Sequence, residues 1–438
     1  MDMPRRLMRT VTVRSGNSGR VKAGILYCRY EDTVLFSNFQ PGYICGNQSY
    51  YVILRNVMLH NMSEFIRNPF ILTPFVPEEY FCDREAETAL LCKHILNGRN
   101  VALFAKRRLG KTGLIRHCFE QKEIHEHFNT LLVDIYSAGS LKEMTALFAK
   151  EIFAHAAAMG LRDRLLKGLR SIKPTIGYNE LTSSFSLSVG LGDIVEPDKT
   201  LEELLSILDS SKKPSVVALD EFQRIREFQE SNAEAYLRTA FQRCKNIVFI
   251  YTGSIGHSMN NIFKSPDKPF YNSAVMMTID VINRDVYRDF SRRMFASYGK
   301  TVDPELVDRC YDYFDGITWY NQLLMNEAFA QTDRGGCIMA TDFDEVYNAI
   351  IAQQAFSYQE LYARFSAKQK TLLIALAQEG KDGAQVTSQA FLSKYGLGSA
   401  SSIQTACAAL KKNNFITDNG GKKQISDLIF RDWIRKNC

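Results

Sequence analysis

A glycine, a lysine and a threonine, Gly110-Lys111-Thr112, stand between a short apolar run and an amphipathic one in Val101-Ala-Leu-Phe-Ala-Lys-Arg-Arg-Leu-Gly-Lys-Thr-Gly-Leu-Ile. That order suits a polyphosphate. A strand ending at Ala105 and a helix opening after Gly110 aim backbone N–H groups and the positive end of a helix dipole at one point. The candidate cradle is Ala105, Lys106, Arg107, Arg108, Leu109, Gly110, Lys111, Thr112 and Gly113. Lys111 is expected to reach the β and γ phosphates, and the Thr112 hydroxyl to ligate Mg²⁺. Ala105 stands where the GxxxxGK[ST] pattern has its first glycine. Alanine disfavours positive φ, so the turn is expected to be entered differently. The alternative reading is a plain basic turn between a strand and a helix.

A second constellation follows 109 residues after Lys111, where Pro214-Ser-Val-Val-Ala-Leu-Asp-Glu is an apolar run ending in two carboxylates. Asp220 is expected to hold Mg²⁺ through water, and Glu221 to orient or polarise the attacking water. By itself such a pair is a solvated strand end. After a phosphate loop it reads as the second half of an ATP site, on a strand expected beside the phosphate-loop strand. The reading requires Asp220 to lie near Thr112 in space. A third apolar run, Ile247-Val-Phe-Ile-Tyr-Thr-Gly-Ser, ends in Thr252 and Ser254, which could sense the γ phosphate; a simple turn at Gly253 is the alternative. The implied ligands are ATP and Mg²⁺.

These residues need a scaffold. Periodicity predicts a helix over 83–97, capped by Asp83 and ended by Gly98. Strands are predicted at 101–105, 130–135, 215–219 and 247–252, with helices over 110–120, 141–158 and 201–208 between them. Residues 174–178 and 183–189 form an expected hairpin. Such alternation implies an α/β fold, a parallel sheet sandwiched by helices. From 283 to 355 strands are expected to disappear, leaving a helical lid. Three helices then precede Asp418-Asn-Gly-Gly, a hairpin turn signal, which is the winged-helix order. The expected domains are an N-terminal extension over 1–61, a P-loop ATPase domain over 62–280, a lid over 281–358 and a winged helix over 359–438.

Composition narrows the class. The 438 residues hold 45% hydrophobic and 23% charged residues, ordinary for a globular protein. No apolar run reaches the roughly 20 residues a membrane span needs, and no secretory signal opens the chain. Ten cysteines without a CxxC pair read as free thiols in a reducing cytoplasm. His125 and His127, two apart, read as a solvated turn. Residues 361–438 carry 12 Lys and Arg against 5 Asp and Glu, which points to an anionic partner there. Residues 1–61 lack a helical period. They are expected to be an upstream extension before Met62, with a small accessory β element, using strands near 22–27 and 49–54, as the alternative.

Several motifs in order resemble one family. Asn68-Pro-Phe, Pro77-Glu-Glu-Tyr-Phe-Cys-Asp-Arg-Glu, Arg107-Arg-Leu-Gly-Lys-Thr, Val133-Asp-Ile-Tyr, Leu219-Asp-Glu-Phe-Gln, Thr252-Gly-Ser and Pro269-Phe-Tyr belong to the resemblance. So do Lys394-Tyr-Gly-Leu-Gly-Ser-Ala-Ser-Ser-Ile-Gln and Asp427-Leu-Ile-Phe-Arg-Asp-Trp-Ile near the C-terminus. From about Met62 onward the chain resembles the archaeal-type ATPases of the AAA+/STAND group, which are related to origin-recognition ATPases. The resemblance implies ATP binding with Lys111, Thr112, Asp220 and Glu221 in the roles above. It places Phe70 and residues 80–84 at the adenine, although such aromatics also serve as plain core. It makes Arg238 and Arg243 candidate arginine fingers, with a structural role as the alternative. Thr318 replaces the proline of the family's Gly-x-Pro-x-x-x-Gln stretch at 316–322.

Two uses of ATP follow. One is a slow ATPase acting as a conformational switch through lid and winged helix, with self-association or a protein partner. The other is a DNA-associated ATPase whose Lys411, Lys412, Lys422 and Lys423 contact phosphates.

Overall fold

The computed structural model describes residues 8–13, 21–26, 68–73, 76–171, 175–179, 184–188, 194–254 and 257–438. They belong to two units, Met1–Arg67 and Asn68–Cys438. In the first, β1 (Met8–Val13) pairs antiparallel with β2 (Val21–Leu26). The expected strand near 49–54 and the start at Met62 lie outside the described residues.

The second unit is built on five parallel strands: β3 (Val101–Ala105), β4 (Asn129–Asp134), β7 (Ser215–Asp220), β8 (Ile247–Ser254) and β9 (Val275–Thr278). Their spatial order is β4-β7-β8-β3-β9. This corrects the expected neighbourhood. The strand carrying Asp220 and Glu221 is not beside the phosphate-loop strand; β8 lies between them and pairs with both. Sequence order does not fix which parallel strands pair, because a crossover can skip a position. The expected hairpin is present as β5 (Thr175–Asn179) and β6 (Ser184–Ser188).

Strand β3 is buried at all five positions, as a parallel strand covered on both faces must be. Alternate residues feed two cores. Ala102, Phe104, Val217 and Tyr251 face one cluster with helices α3 (Leu141–His155), α4 (Pro197–Asp209) and α5 (Ala233–Arg243). Val101, Leu103, Val216 and Ile250 face the other, with α1 (Glu85–Leu96) and α2 (Lys111–Glu120). Helix α1 is not capped by Asp83. Asp83 and Arg84 both adopt left-handed backbone, at φ 60° and 81°, and no side chain caps the helix. The Arg84 guanidinium holds this corner instead, reaching Glu87 at 2.7 Å and the Asp280 carbonyl at 2.5 Å. Helix α6 (His257–Lys264) follows β8.

The lid consists of α7 (Arg284–Ser297), α8 (Pro304–Tyr313), α9 (Thr318–Gln331) and α10 (Phe343–Ala363). It is not strand-free: β10 (Thr301–Val302) and β11 (Cys337–Ile338) pair in parallel, because two connecting segments run side by side and satisfy each other's backbone. The winged helix is α11 (Ala367–Glu379), α12 (Gln389–Lys394), α13 (Ala400–Lys412), the hairpin β12 (Ile416–Asn419) and β13 (Lys422–Ile425), and α14 (Leu428–Asn437). Gly420 and Gly421 at the hairpin tip have φ of 57° and 85°, which a two-residue turn of this kind demands.

Lid and winged helix share one core. Phe314, Tyr320 and Tyr347 of the lid join Leu376, Phe430 and Trp433 in a single cluster. Helix α10 runs unbroken through the expected boundary at 358–359. The buried Asp432 carboxylate accepts hydrogen bonds from Tyr313 at 2.8 Å, Tyr347 at 2.6 Å and Arg431 at 2.8 Å. The stretch around Asn68 also packs on the lid: the Asn68 side-chain amide donates to the Asn326 carbonyl at 2.8 Å and the Asn326 side-chain amide to the Phe70 carbonyl at 2.7 Å. No helix among the described residues is long and apolar enough to cross a membrane, and their cysteines are free.

Candidate nucleotide-binding site

The phosphate loop leaves β3 at Ala105 and enters α2 at Lys111. Its left-handed positions are Arg108, φ 68°, and Gly110, φ 90°. Ala105 is fully buried as the last strand residue and needs no positive φ, so the missing glycine costs the turn nothing. Lys111 is 7% exposed. Burial pulls its ammonium below the usual lysine range, while the Glu221 and Asp220 carboxylates pull it back up.

Asp220 and Thr112 meet. The Thr112 hydroxyl donates to Asp220 Oδ2 at 2.7 Å. On its other oxygen Asp220 accepts the Thr252 hydroxyl and, at 3.0 Å, the Glu221 N–H. The intervening β8 explains this: it carries Thr252 to the Asp220 carboxylate, where the residue is fully buried. Thr252 therefore orders the carboxylate. Ser254 ends β8 opposite Ala105.

Above the loop lies a cavity of about 280 Å³. Its floor is Arg107 through Gly113 with Glu221. One wall is Ile71–Thr73 and residues 80–82 with Arg84, and the other is Thr318, Trp319 and Gln322 of α9. Phe70 is elsewhere, fully buried against Phe290, Phe295 and Phe329, because the Asn68–Asn326 clamp turns it into the lid. Lys106 is exposed, and neither it nor Ala105 lines the cavity. A cavity of about 360 Å³ lies at the amino ends of the strands, near Asn100, Pro214 and Asn246. Parallel sheets bind ligands beyond their carboxyl ends, so the smaller cavity is the candidate site. Arg238 lines the larger cavity and Arg243 pairs with Glu202 at 3.2 Å; neither lines the nucleotide cavity.

From the cavity floor the Arg108 side chain reaches the lid. Its guanidinium lies 4.7 Å from the Trp319 ring centre and 4.8 Å from that of Tyr320. It pairs with Asp427 of the winged helix at 3.0 Å and donates to the Tyr320 hydroxyl. The Arg108 carbonyl accepts the Trp319 N–H at 3.1 Å. Asp427 meanwhile caps α14, accepting the Ile429 N–H at 3.0 Å. Sequence reasoning placed Arg108 in the cradle but missed Asp427, 319 residues away.

The donor set fits magnesium. A hydroxyl and a carboxylate are hard oxygen ligands, and Mg²⁺ is usually completed by water and substrate phosphates. Among the described residues no group of three or more His, Cys, Asp or Glu could cage a metal alone. Thr112 and Asp220 would hold the ion.

A β4-β7-β8-β3-β9 sheet, a Gly-Lys-Thr loop and an Asp-Glu strand end together make a P-loop fold with helices on both faces of a parallel sheet, followed by a helical lid and a winged helix. Residues 356–436 match a family described as "Probable winged helix domain". A Walker-type ATPase of Pyrococcus abyssi is similar in structure, with a TM-score of 0.56 and 19% identity over 84% of this chain and 99% of that one. The Aeropyrum pernix ORC1 protein in complex with DNA gives 0.49 and 12% identity over 85% and 97% of the two chains. The Aeropyrum pernix ORC2 protein gives 0.49 and 13% over 82% and 95%. The chain thus shares the fold of the Pyrococcus abyssi Walker-type ATPase. No curated protein matches the chain.

Of the four candidate DNA-contacting lysines, Lys411 and Lys423 both pair with Asp418, while Lys412 and Lys422 are exposed. Ser401, Gln404 and Thr405 of α13 face solvent.

Proposed function

We propose that the protein binds Mg²⁺·ATP and hydrolyses it slowly, using the nucleotide to reposition its lid and winged helix as one body. The observation that carries this reading is Arg108. One loop residue touches the lid through Trp319 and Tyr320 and the winged helix through Asp427. A change in loop shape is therefore felt by both, and their common core moves them together.

Lys111 and the loop amides hold the β and γ phosphates, and residues 80–84 cover the base. Bound magnesium supplies charge neutralisation on the phosphate oxygens. Glu221 orients a water for in-line attack. The water oxygen bonds to the γ phosphorus, the bond to the β–γ bridging oxygen breaks, and the water's proton passes to Glu221. ADP and inorganic phosphate leave. Thr252 keeps Asp220 aimed at Thr112, and Ser254 lies at the strand end where the γ phosphate is sensed.

Titration calorimetry with ATP and magnesium tests binding; an indifferent chain refutes the reading. Small-angle scattering of the apo, ADP and ATP-analogue states tests the switch, which predicts different shapes.

A second reading has its own support. The outward face of α13 is exposed and the C-terminal segment is basic, so the winged helix is available to duplex DNA. A mobility-shift series across salt concentrations decides it. Absence of binding at every salt concentration, with and without ATP, disposes of the DNA reading.

A further inference from the structure

We propose that Gln223 is the positioning residue that holds the Glu221 carboxylate for water activation, and that residue 253 is glycine to make room for it. The inference rests on Glu221 acting in hydrolysis.

Glu221 adopts left-handed backbone, φ 58°, in a non-glycine residue. That conformation costs roughly 1 kcal/mol and persists only where surroundings enforce it. Two neighbours do so. Phe222 is fully buried, 4.6 Å from the Tyr251 ring and 5.2 Å from that of Phe270. Gln223, next in the same 3₁₀ turn (Phe222–Glu227), sends Nε2 back to Glu221 Oε2 at 2.5 Å. A carboxylate only accepts, so its ionised form selects this amide orientation; the reverse would set two oxygens against each other. One carboxylate oxygen is then anchored and the other is left to face the attacking water.

The far side of the same amide is as constrained. Gln223 Oε1 is buried without a partner. Such an atom costs about 1–3 kcal/mol. It rests on Gly253 of β8. A methyl group there would fall 2.3 Å from Gln223 Oε1 and 2.7 Å from Met259 Cγ. Glycine at 253 thus lets the amide lie against the strand that also delivers Thr252 to Asp220. The two carboxylates of the site are each held by a separate side chain: Asp220 by Thr252 and Glu221 by Gln223.

The test compares Gln223→Ala, Gly253→Ala and the double variant in steady-state ATP hydrolysis, with nucleotide affinity by calorimetry. Loss of alignment of a general base predicts a kcat lowered roughly tenfold or more in each single variant. The Kd for Mg²⁺·ATP should stay within about twofold, because no ground-state contact is removed. Both changes remove one contact, so the double variant is expected to be no slower than the slower single variant. Wild-type kcat in Gln223→Ala, losses that multiply in the double variant, or a Kd that weakens in step with kcat would each overturn the inference. If Gly253→Ala does not fold by thermal melting, Gln223→Asn takes its place. Its amide is one methylene short, so it should be as slow as Gln223→Ala, and full turnover would count against the proposal. Glu221→Gln run alongside separates the layers. Full turnover in Glu221→Gln removes the parent reading, whereas its loss beside an unimpaired Gln223→Ala removes this inference alone.

Discussion

Removing the Arg108 side chain should free the lid and winged helix from the phosphate loop. Both members of the Arg108–Asp427 pair are about a quarter exposed, 25% and 29%. Solvent screening at that exposure keeps the pair near ~1 kcal/mol. The two ring contacts add ~0.5 kcal/mol each, the lower end for accessible sites. Arg108→Ala therefore weakens docking by about 2 kcal/mol, a roughly 30-fold shift toward the undocked state. Arg108→Gly loses the same contacts but also relieves the left-handed strain at φ 68°, so its loop is about 1 kcal/mol more stable than that of the alanine variant. The chain has two tryptophans, Trp319 and Trp433. In a Trp433→Phe background the emission of Trp319, which lies against the guanidinium, reports docking. Arg108→Ala should red-shift it in the apo protein and abolish its response to ATP. Asp427→Ala, alone and combined with Arg108→Ala, completes a double-mutant cycle with a coupling of about 1 kcal/mol. Unchanged Trp319 emission and an intact ATP response in Arg108→Ala would refute the idea that this arginine ties loop to lid.

Lys111→Ala should abolish ATP binding in calorimetry. In the wild type, burial depresses the Lys111 ammonium, and polyphosphate raises it again; ATP binding should thus take up protons at alkaline pH. Affinity is expected to be flat below the free-state lysine pKa and to fall as pH rises through it, as calorimetry in buffers of different ionisation enthalpy can show. Glu221→Gln should slow hydrolysis while sparing nucleotide binding; intact turnover would make the Glu221 assignment wrong. Asp432→Ala should lower the thermal midpoint strongly. It leaves the buried Arg431 and two tyrosine hydroxyls without their acceptor, a loss of about 3–5 kcal/mol for one member of a buried charge pair.

Much of the site was legible along the chain. A phosphate cradle is built from consecutive backbone N–H groups, so Arg107-Arg-Leu-Gly-Lys-Thr announces it locally, and both carboxylates end one apolar run. The hairpin tip at Gly420-Gly421 and most helices followed from turn chemistry and period alone. The capping of α1 was misread because Asp83 and Arg84 form a left-handed corner set by the Asp280 carbonyl, far along the chain.

Other features exist only in three dimensions. Strand pairing is decided by how crossovers pack, and it put β8, not β7, beside β3, which is why Thr252 orders Asp220. The Asp220–Thr112 contact depends on that sheet order. Arg108 reads as one more basic residue in a loop until folding brings Trp319 and Asp427 to it. Local hydrogen bonding and hydrophobic period are written in neighbouring residues. Contacts between residues hundreds of positions apart arise from the shape of the packed core, and no local pattern encodes them.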